Sequence, residues 1–183
     1  MDVLRAQWVR RFGAAVVAAF AVAQPALSQD TPAPAQNGTQ FRDWTLACRA
    51  VAINETSCVL NQVLVNAADQ SFLAEFGVSL QPSADGPLAV LVMRVPTGVM
   101  LLARPAAEVD GDADNQISLQ WQSCDERFCA ASAILAAEDT AKLRAGQRAI
   151  VGYQPLGKAE PSVFQVSLLG ITAGMNTLED ALE

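Results

Sequence analysis

No histidine occurs anywhere in the 183 residues. That absence removes Ser-His-Asp and Cys-His nucleophile systems, His-bearing zinc sites and imidazole proton shuttles. Also missing are a G-x-S-x-G elbow, an S-x-x-K pair, a P-loop and a G-x-G-x-x-G turn. What remains for enzymology is a pair of carboxylates or a reactive cysteine. Positive charge is scarce too: 12 Lys and Arg face 19 Asp and Glu. Past residue 28 no five-residue window holds more than two Lys or Arg. Phosphate tracking needs such clusters, so nucleic acid is excluded as a partner, and so is docking driven by anionic lipid. No apolar run approaches the roughly 20 residues that cross a bilayer, so no permanent membrane span is expected.

The longest apolar run, Phe12 to Ala23, has 12 residues and follows Arg5, Arg10 and Arg11. Ala26 and Ser28 then put small residues at −3 and −1 of a cut before Gln29. This is the layout of a secretory signal peptide, residues 1–28. Cleavage removes three Arg and Asp2, which leaves 9 positive and 18 negative charges and a net of −9. Residues 29–40 (QDTPAPAQNGTQ) are rich in Pro, Ala and polar residues without periodicity, and they read as a flexible leader. Residues 41–183 are then a single domain, long enough to bury a core without metal.

An exported chain with an even number of cysteines reads as a disulfide framework. Cys48, Cys58, Cys124 and Cys129 allow three connectivities. The sequential one, 48–58 with 124–129, is favoured because each pair flanks a short turn between strand-like runs. A redox role for Cys124 and Cys129 lacks the C-x-x-C spacing, and a four-cysteine zinc site lacks matching knuckles. No cysteine stands at the cleavage site, so an N-terminal lipid anchor by that route is not expected.

The dominant hydrophobic period is two. Trp44, Leu46 and Cys48 alternate with polar neighbours, as do Phe72 to Leu80, Ile117 to Trp121 and Phe164 to Leu168. Each is a half-buried strand. Leu88 to Met93 is apolar throughout and reads as a central strand covered on both sides. Val99–Ala103, Phe128–Leu135 and Ala149–Tyr153 are further strands. Helical spacing occurs at Glu138–Ala145, with Gly146 as its stop, and at the C-terminus. There Thr172 is placed to cap a helix with Met175, Leu178 and Leu182 on one stripe. The sum is an all-β, antiparallel β-sandwich with a short C-terminal helix.

Two motifs suggest sites. Asp110-Gly111-Asp112-Ala113-Asp114 starts like a calcium loop, but Asn115 stands where Gly is needed and Trp121 where the twelfth-position Glu belongs. It reads as a solvated turn, and no metal or other cofactor is expected. Asp125, Glu126, Arg127 and Phe128 fill the tip between Cys124 and Cys129. A bridged tip carrying charge and an aromatic is a candidate partner contact. The sequons at Asn37 and Asn54 are short enough to arise by chance.

Several elements occur in a fixed order: Phe41-Arg42-Asp43-Trp44 with Cys48, then Cys58, Gly98-Val99-x-Leu101, Cys124-x4-Cys129-Ala130, and Val166-Ser167-Leu168-x-Gly170-Ile171-Thr172. Together they resemble the invasion-associated locus B family of exported bacterial proteins, over nearly all of residues 41–182. The resemblance implies an immunoglobulin-like β-sandwich in the periplasm or at the surface of a Gram-negative cell, with no established catalytic activity. The sequence therefore points to a non-catalytic periplasmic or envelope binding protein, whose partner is an envelope or host-surface protein. One alternative is a host-cell adhesion or invasion factor at the cell surface or beyond it. An alternative of another class is an envelope hydrolase using two carboxylates.

Overall fold

Period-two alternation folds most of the chain into antiparallel strands. The computed structural model describes residues 36–182 apart from positions 54, 85 and 115. The export leader, residues 29–35 of the polar segment, Asn54 and Asn115 lie outside the described residues. The strands are β1 (Gln40–Phe41), β2 (Trp44–Ala52), β3 (Glu55–Val65), β4 (Phe72–Gln81), β5 (Leu88–Pro96), β6 (Ala106–Val109), β7 (Ile117–Ser118), β8 (Gln120–Cys124), β9 (Phe128–Ile134), β10 (Arg148–Tyr153) and β11 (Ser162–Ser167). Helices α1 (Ala137–Ala145) and α2 (Ile171–Asp180) complete the elements.

The strands form two sheets. One has seven strands in the order β1-β2-β3-β4-β5-β9-β8, and the other four in the order β11-β10-β6-β7. Inward residues of the larger sheet, among them Trp44, Leu46, Leu60, Phe76 and Met93, share one core with Ala107, Ala149, Val151 and Val166 of the smaller sheet. This is the β-sandwich that the alternation predicts. Helix α2 packs on β2, β3 and β4 and buries Ile171, Met175 and Leu178. One buried polar side chain joins the two sheets. The Gln62 amide donates to the carbonyls of Asp43 (3.0 Å) and Ser167 (3.3 Å), and its oxygen accepts from the Ser167 N–H at 3.0 Å. The Trp44 indole donates to the same Ser167 carbonyl at 2.9 Å. The amide thus pairs with backbone groups of both Asp43 and Ser167 in the interior, where unpaired polar groups are costly.

Local readings that ignore the second sheet miss in identifiable places. Ile117 to Trp121 is not one strand: Ile117 pairs with Ala107 in the smaller sheet, whereas Trp121 pairs with Ala131 in the larger. The chain changes sheets at Leu119, whose side chain is fully buried. Strand β5 is central but covered on one face only. Ala89, Leu91 and Met93 point to the core, while on the other face Val90 is 8% exposed and Val92 and Arg94 line an open concavity. Val99–Ala103 is a loop that keeps a single bridge from Val99 to Pro155. Thr172 does not cap α2: Gly170 precedes the helix, and the Thr172 hydroxyl donates to the Arg144 carbonyl at 2.7 Å. Leu182 is exposed, off the buried stripe. Gly146 ends α1 without a left-handed turn (φ −73°). A Cβ there would come within 2.6 Å of Val109 and 2.8 Å of Leu168, so close packing requires the glycine. Hydrogen bonds begin before Phe41. Gly38 N–H donates to Leu46 O, Leu46 N–H to Thr39 O, and Cys48 N–H to the Asn37 side chain.

Candidate functional site

The two cysteine pairs bond as the spacing predicts, 48–58 and 124–129. Each joins residues directly opposite in an antiparallel pair, with Cα atoms 4.0 Å apart. A bridge across a short hairpin acts mainly by restricting the unfolded chain. Loss of Cys48–Cys58 should lower stability by about 3 kcal/mol and loss of Cys124–Cys129 by about 2 kcal/mol, from the loop lengths alone. Urea melts of the paired Cys→Ala variants check this. A folded domain with a lowered midpoint is the expected outcome in both cases.

The second bridge closes the tip that carries the candidate contact residues. Asp125 organises it. Its N–H donates to Phe128 O at 2.8 Å, and its carboxylate accepts from the N–H groups of Arg127 (2.7 Å) and Phe128 (2.8 Å). Bonds from Arg127 and then Phe128 hold the carboxyl below its ordinary pKa. A depressed folded pKa stabilises the tip above the unfolded value near 3.8, and that contribution is lost as pH falls through the folded value. The Arg127 and Phe128 amide resonances should therefore move at a lower pH than an ordinary aspartate titrates. An acid titration by NMR reads this directly.

Asp125, Glu126 and Arg127 are exposed, and Phe128 is half-buried on the outer face of the larger sheet. The Phe128 ring lies between two guanidinium groups, Arg94 at 5.0 Å and Arg127 at 5.2 Å from its centroid. Phe72 meets it edge-on at 5.0 Å. Arg94 also pairs with Glu75 at 2.9 Å, and the other Glu75 oxygen accepts from Asn61 at 3.0 Å. A connected row of side chains thus crosses β3, β4, β5 and β9 on the uncovered face. Beside it lies a concavity of about 460 Å³ lined by Arg49, Val59, Asn61, Glu75, Gly77 and Arg94. The sequence reading found Arg127 and Phe128 but not Arg94, Glu75, Asn61 or Phe72. The one available sign was Arg94, a charge at the end of an otherwise apolar run.

The tip also abuts a loop. Thr97 N–H donates to Arg127 O at 2.9 Å. The chain then passes through residues 98–103, which are bound to residues 154–156 by Met100 N–H to Gln154 O (2.9 Å) and Leu156 N–H to Gly98 O (2.7 Å). Elsewhere the acidic turn serves the fold: the Asp110 carboxylate accepts from the backbone N–H groups of Gln147 and Arg148. Among the described residues no group of three metal-ligating side chains comes together, and no helix is long and apolar enough to cross a membrane.

The family model for the invasion associated locus B protein matches residues 44–179. An invasion protein B homolog of Brucella abortus strain 2308 is 25% identical over 141 residues, covering 76% of this chain and 77% of the homolog. A homolog from B. abortus biovar 1 matches to the same extent. The crystal structure of invasion associated protein B from Bartonella henselae superposes with a TM-score of 0.66 at 20% identity, over 76% of this chain and 92% of that one. That likeness shows the shared fold.

Proposed function

Because this chain belongs to the invasion associated locus B family, we propose that it works as a non-catalytic, exported binding protein of the cell envelope. Its contact surface is the Phe128 hairpin tip and the uncovered sheet face beside it, and its partner is another envelope protein. The observation that carries this reading is the Phe128 ring, held half-exposed between Arg94 and Arg127. Aromatic and Arg side chains dominate binding energy at protein interfaces, above all where their geometry is fixed before contact. Here Asp125, the disulfide and the Glu75 pair fix it.

The periplasm is the proposed location, resting on the leader and on two disulfides that need an oxidising compartment. A second reading, adhesion to or entry into a host cell, draws its support from the names of the Brucella and Bartonella relatives. Nothing comparable favours a carboxylate-pair hydrolase. Among the described residues the two carboxyls with displaced pKa values, Asp69 and Asp125, are both lowered by hydrogen bonds, opposite to what a general acid needs.

The test is co-purification from envelope fractions of wild type, Phe128→Ala and Arg127→Glu. Phe128→Ala should weaken capture of a specific partner by about tenfold or more, the range of an interface hot spot. Arg127→Glu should weaken it less, and both should keep the wild-type melting temperature within a few degrees. Equal capture by all three would overturn the assignment of this surface.

A further inference from the structure

The loop beside the hairpin tip exposes an unusual amount of hydrocarbon. Leu102 is 97% exposed, Leu156 66%, Leu101 60% and Met100 37%. Their backbone is nonetheless fixed. Val99 is buried and bridges Pro155, while Met100 and Leu156 donate to Gln154 and Gly98. Ala103 N–H donates to Met100 O at 3.0 Å, and Ala103 O accepts the Trp121 indole N–H at 2.9 Å. A loop built in this way cannot fold its leucines back onto the core. Leaving contiguous apolar side chains in water is costly at roughly 25 cal/mol per Å², and such patches mark a contact surface.

We propose that this end of the sandwich docks on a phospholipid bilayer, inserting Leu101, Leu102 and Leu156 into the headgroup–acyl boundary. Three observations select a bilayer over a protein. First, near-complete exposure of Leu102 means that the patch protrudes. A protrusion of four side chains offers far less than the roughly 800 Å² per partner of a stable protein pair, but it suits a deformable medium. Second, the charges fit. Segments 97–104, 125–128 and 154–160, which adjoin the loop, carry Arg104, Arg127 and Lys158 against Asp125, Glu126 and Glu160, so they balance while the chain is −7 overall. The excess negative charge lies outside these segments, so the loop can approach a zwitterionic lipid surface without net repulsion from its own neighbours. Third, Trp121, Tyr153 and Phe164 form a half-buried row under the loop, with centroids 6.2 Å and 5.9 Å apart. Trp and Tyr with one polar atom are the side chains enriched at membrane–water boundaries. This docking does not rest on the protein contact proposed above, and it would orient the Phe128 tip toward a membrane-bound partner.

The test is co-sedimentation of the processed chain, starting at Gln29, with phosphatidylcholine vesicles and with vesicles containing added phosphatidylglycerol. That chain contains the whole compact unit, Ala33–Glu183, and lacks the apolar run at residues 12–23. The wild type should partition onto phosphatidylcholine and less well as phosphatidylglycerol is added, because the acidic body is repelled. Replacing Leu101 and Leu102 together by Ser should lower the partition coefficient about tenfold or more, since each leucine buries a full apolar side chain. Leu156→Ser should lower it less. Ile53→Ser, which removes an exposed side chain in the β2–β3 turn away from the loop, should leave it unchanged. All four variant positions are exposed, so melting temperatures should match wild type. Absence of vesicle binding by the wild type would overturn the proposal, as would equal binding by wild type and the double variant. Loss of self-association in the double variant, seen by sedimentation velocity without any vesicle binding, would overturn it in favour of a protein contact.

Discussion

Replacing Gly170 by alanine should destabilise the domain by about 3 kcal/mol or more, a large fraction of an ordinary domain's stability. Two independent costs add at this position. The backbone is left-handed, with φ at +95°, a conformation that costs an L-residue roughly 1–2 kcal/mol. An added Cβ would also fall inside the carbonyl group of Phe41, with Arg42 Cβ only 3.2 Å away. The nearest atoms are backbone, so a rotamer change cannot relieve the clash. The Phe41–Asp43 turn would have to lift, and Asp43 N–H is hydrogen-bonded to Leu169 O at 3.4 Å. Lifting it exposes the joint between the start of the larger sheet and α2. Urea unfolding followed by circular dichroism measures the effect. A midpoint within the scatter of wild type would mean that this joint is not as close as described.

Trp44→Ala should cost about 3–5 kcal/mol, the range for truncating a large buried aromatic. Trp44 is 1% exposed and packs with Phe76, Leu91, Val166 and Leu168 around the centre of the core. Truncation leaves a cavity where the two sheets meet, and it removes the shorter of two bonds to the Ser167 carbonyl. Gln62 still reaches that carbonyl, so the loss comes mainly from packing rather than from an orphaned acceptor. Trp44→Phe should accordingly recover much of the stability, without the indole hydrogen bond. Thermal unfolding of both variants separates the two contributions. If Phe restores nothing, the hydrogen bond is the larger part.

Much of the fold was legible because period-two alternation reports which face of a strand is wet. It placed β2, β4 and β11, apolar runs added β9 and β10, and spacing paired the cysteines correctly. The failures share one cause, which is that a local pattern carries no information about what packs on it. Leu88–Met93 is as apolar as a strand covered on both sides, yet Val92 on its outer face lines an open concavity. The alternation from Ile117 to Trp121 continues smoothly through Leu119 although hydrogen-bonding partners change there from one sheet to the other. Thr172 is a good capping residue, but its hydroxyl found the Arg144 carbonyl of the neighbouring helix. At the candidate site, the tip Asp125–Phe128 was visible because cysteines bracket it. Arg94, Glu75 and Phe72 were not, since 34 positions separate Arg94 from Phe128 in the chain and only the β5–β9 pairing joins them. The apolar loop at Met100–Leu102 was mistaken for a strand because hydrophobicity alone does not distinguish burial from display.

If this domain works by contact through the Phe128 tip, that contact can be trapped in the cell. Site-specific photo-crosslinking in intact cells tests it most directly. A photoreactive residue at Glu126, on the exposed tip, is compared with one at Ala84 in the β4–β5 turn, also exposed but away from the tip. A discrete crosslinked protein is expected from position 126, absent from position 84 and lost when Phe128→Ala is combined with the probe. Identical crosslinking patterns from both positions, or a product at 126 that survives Phe128→Ala, would contradict it.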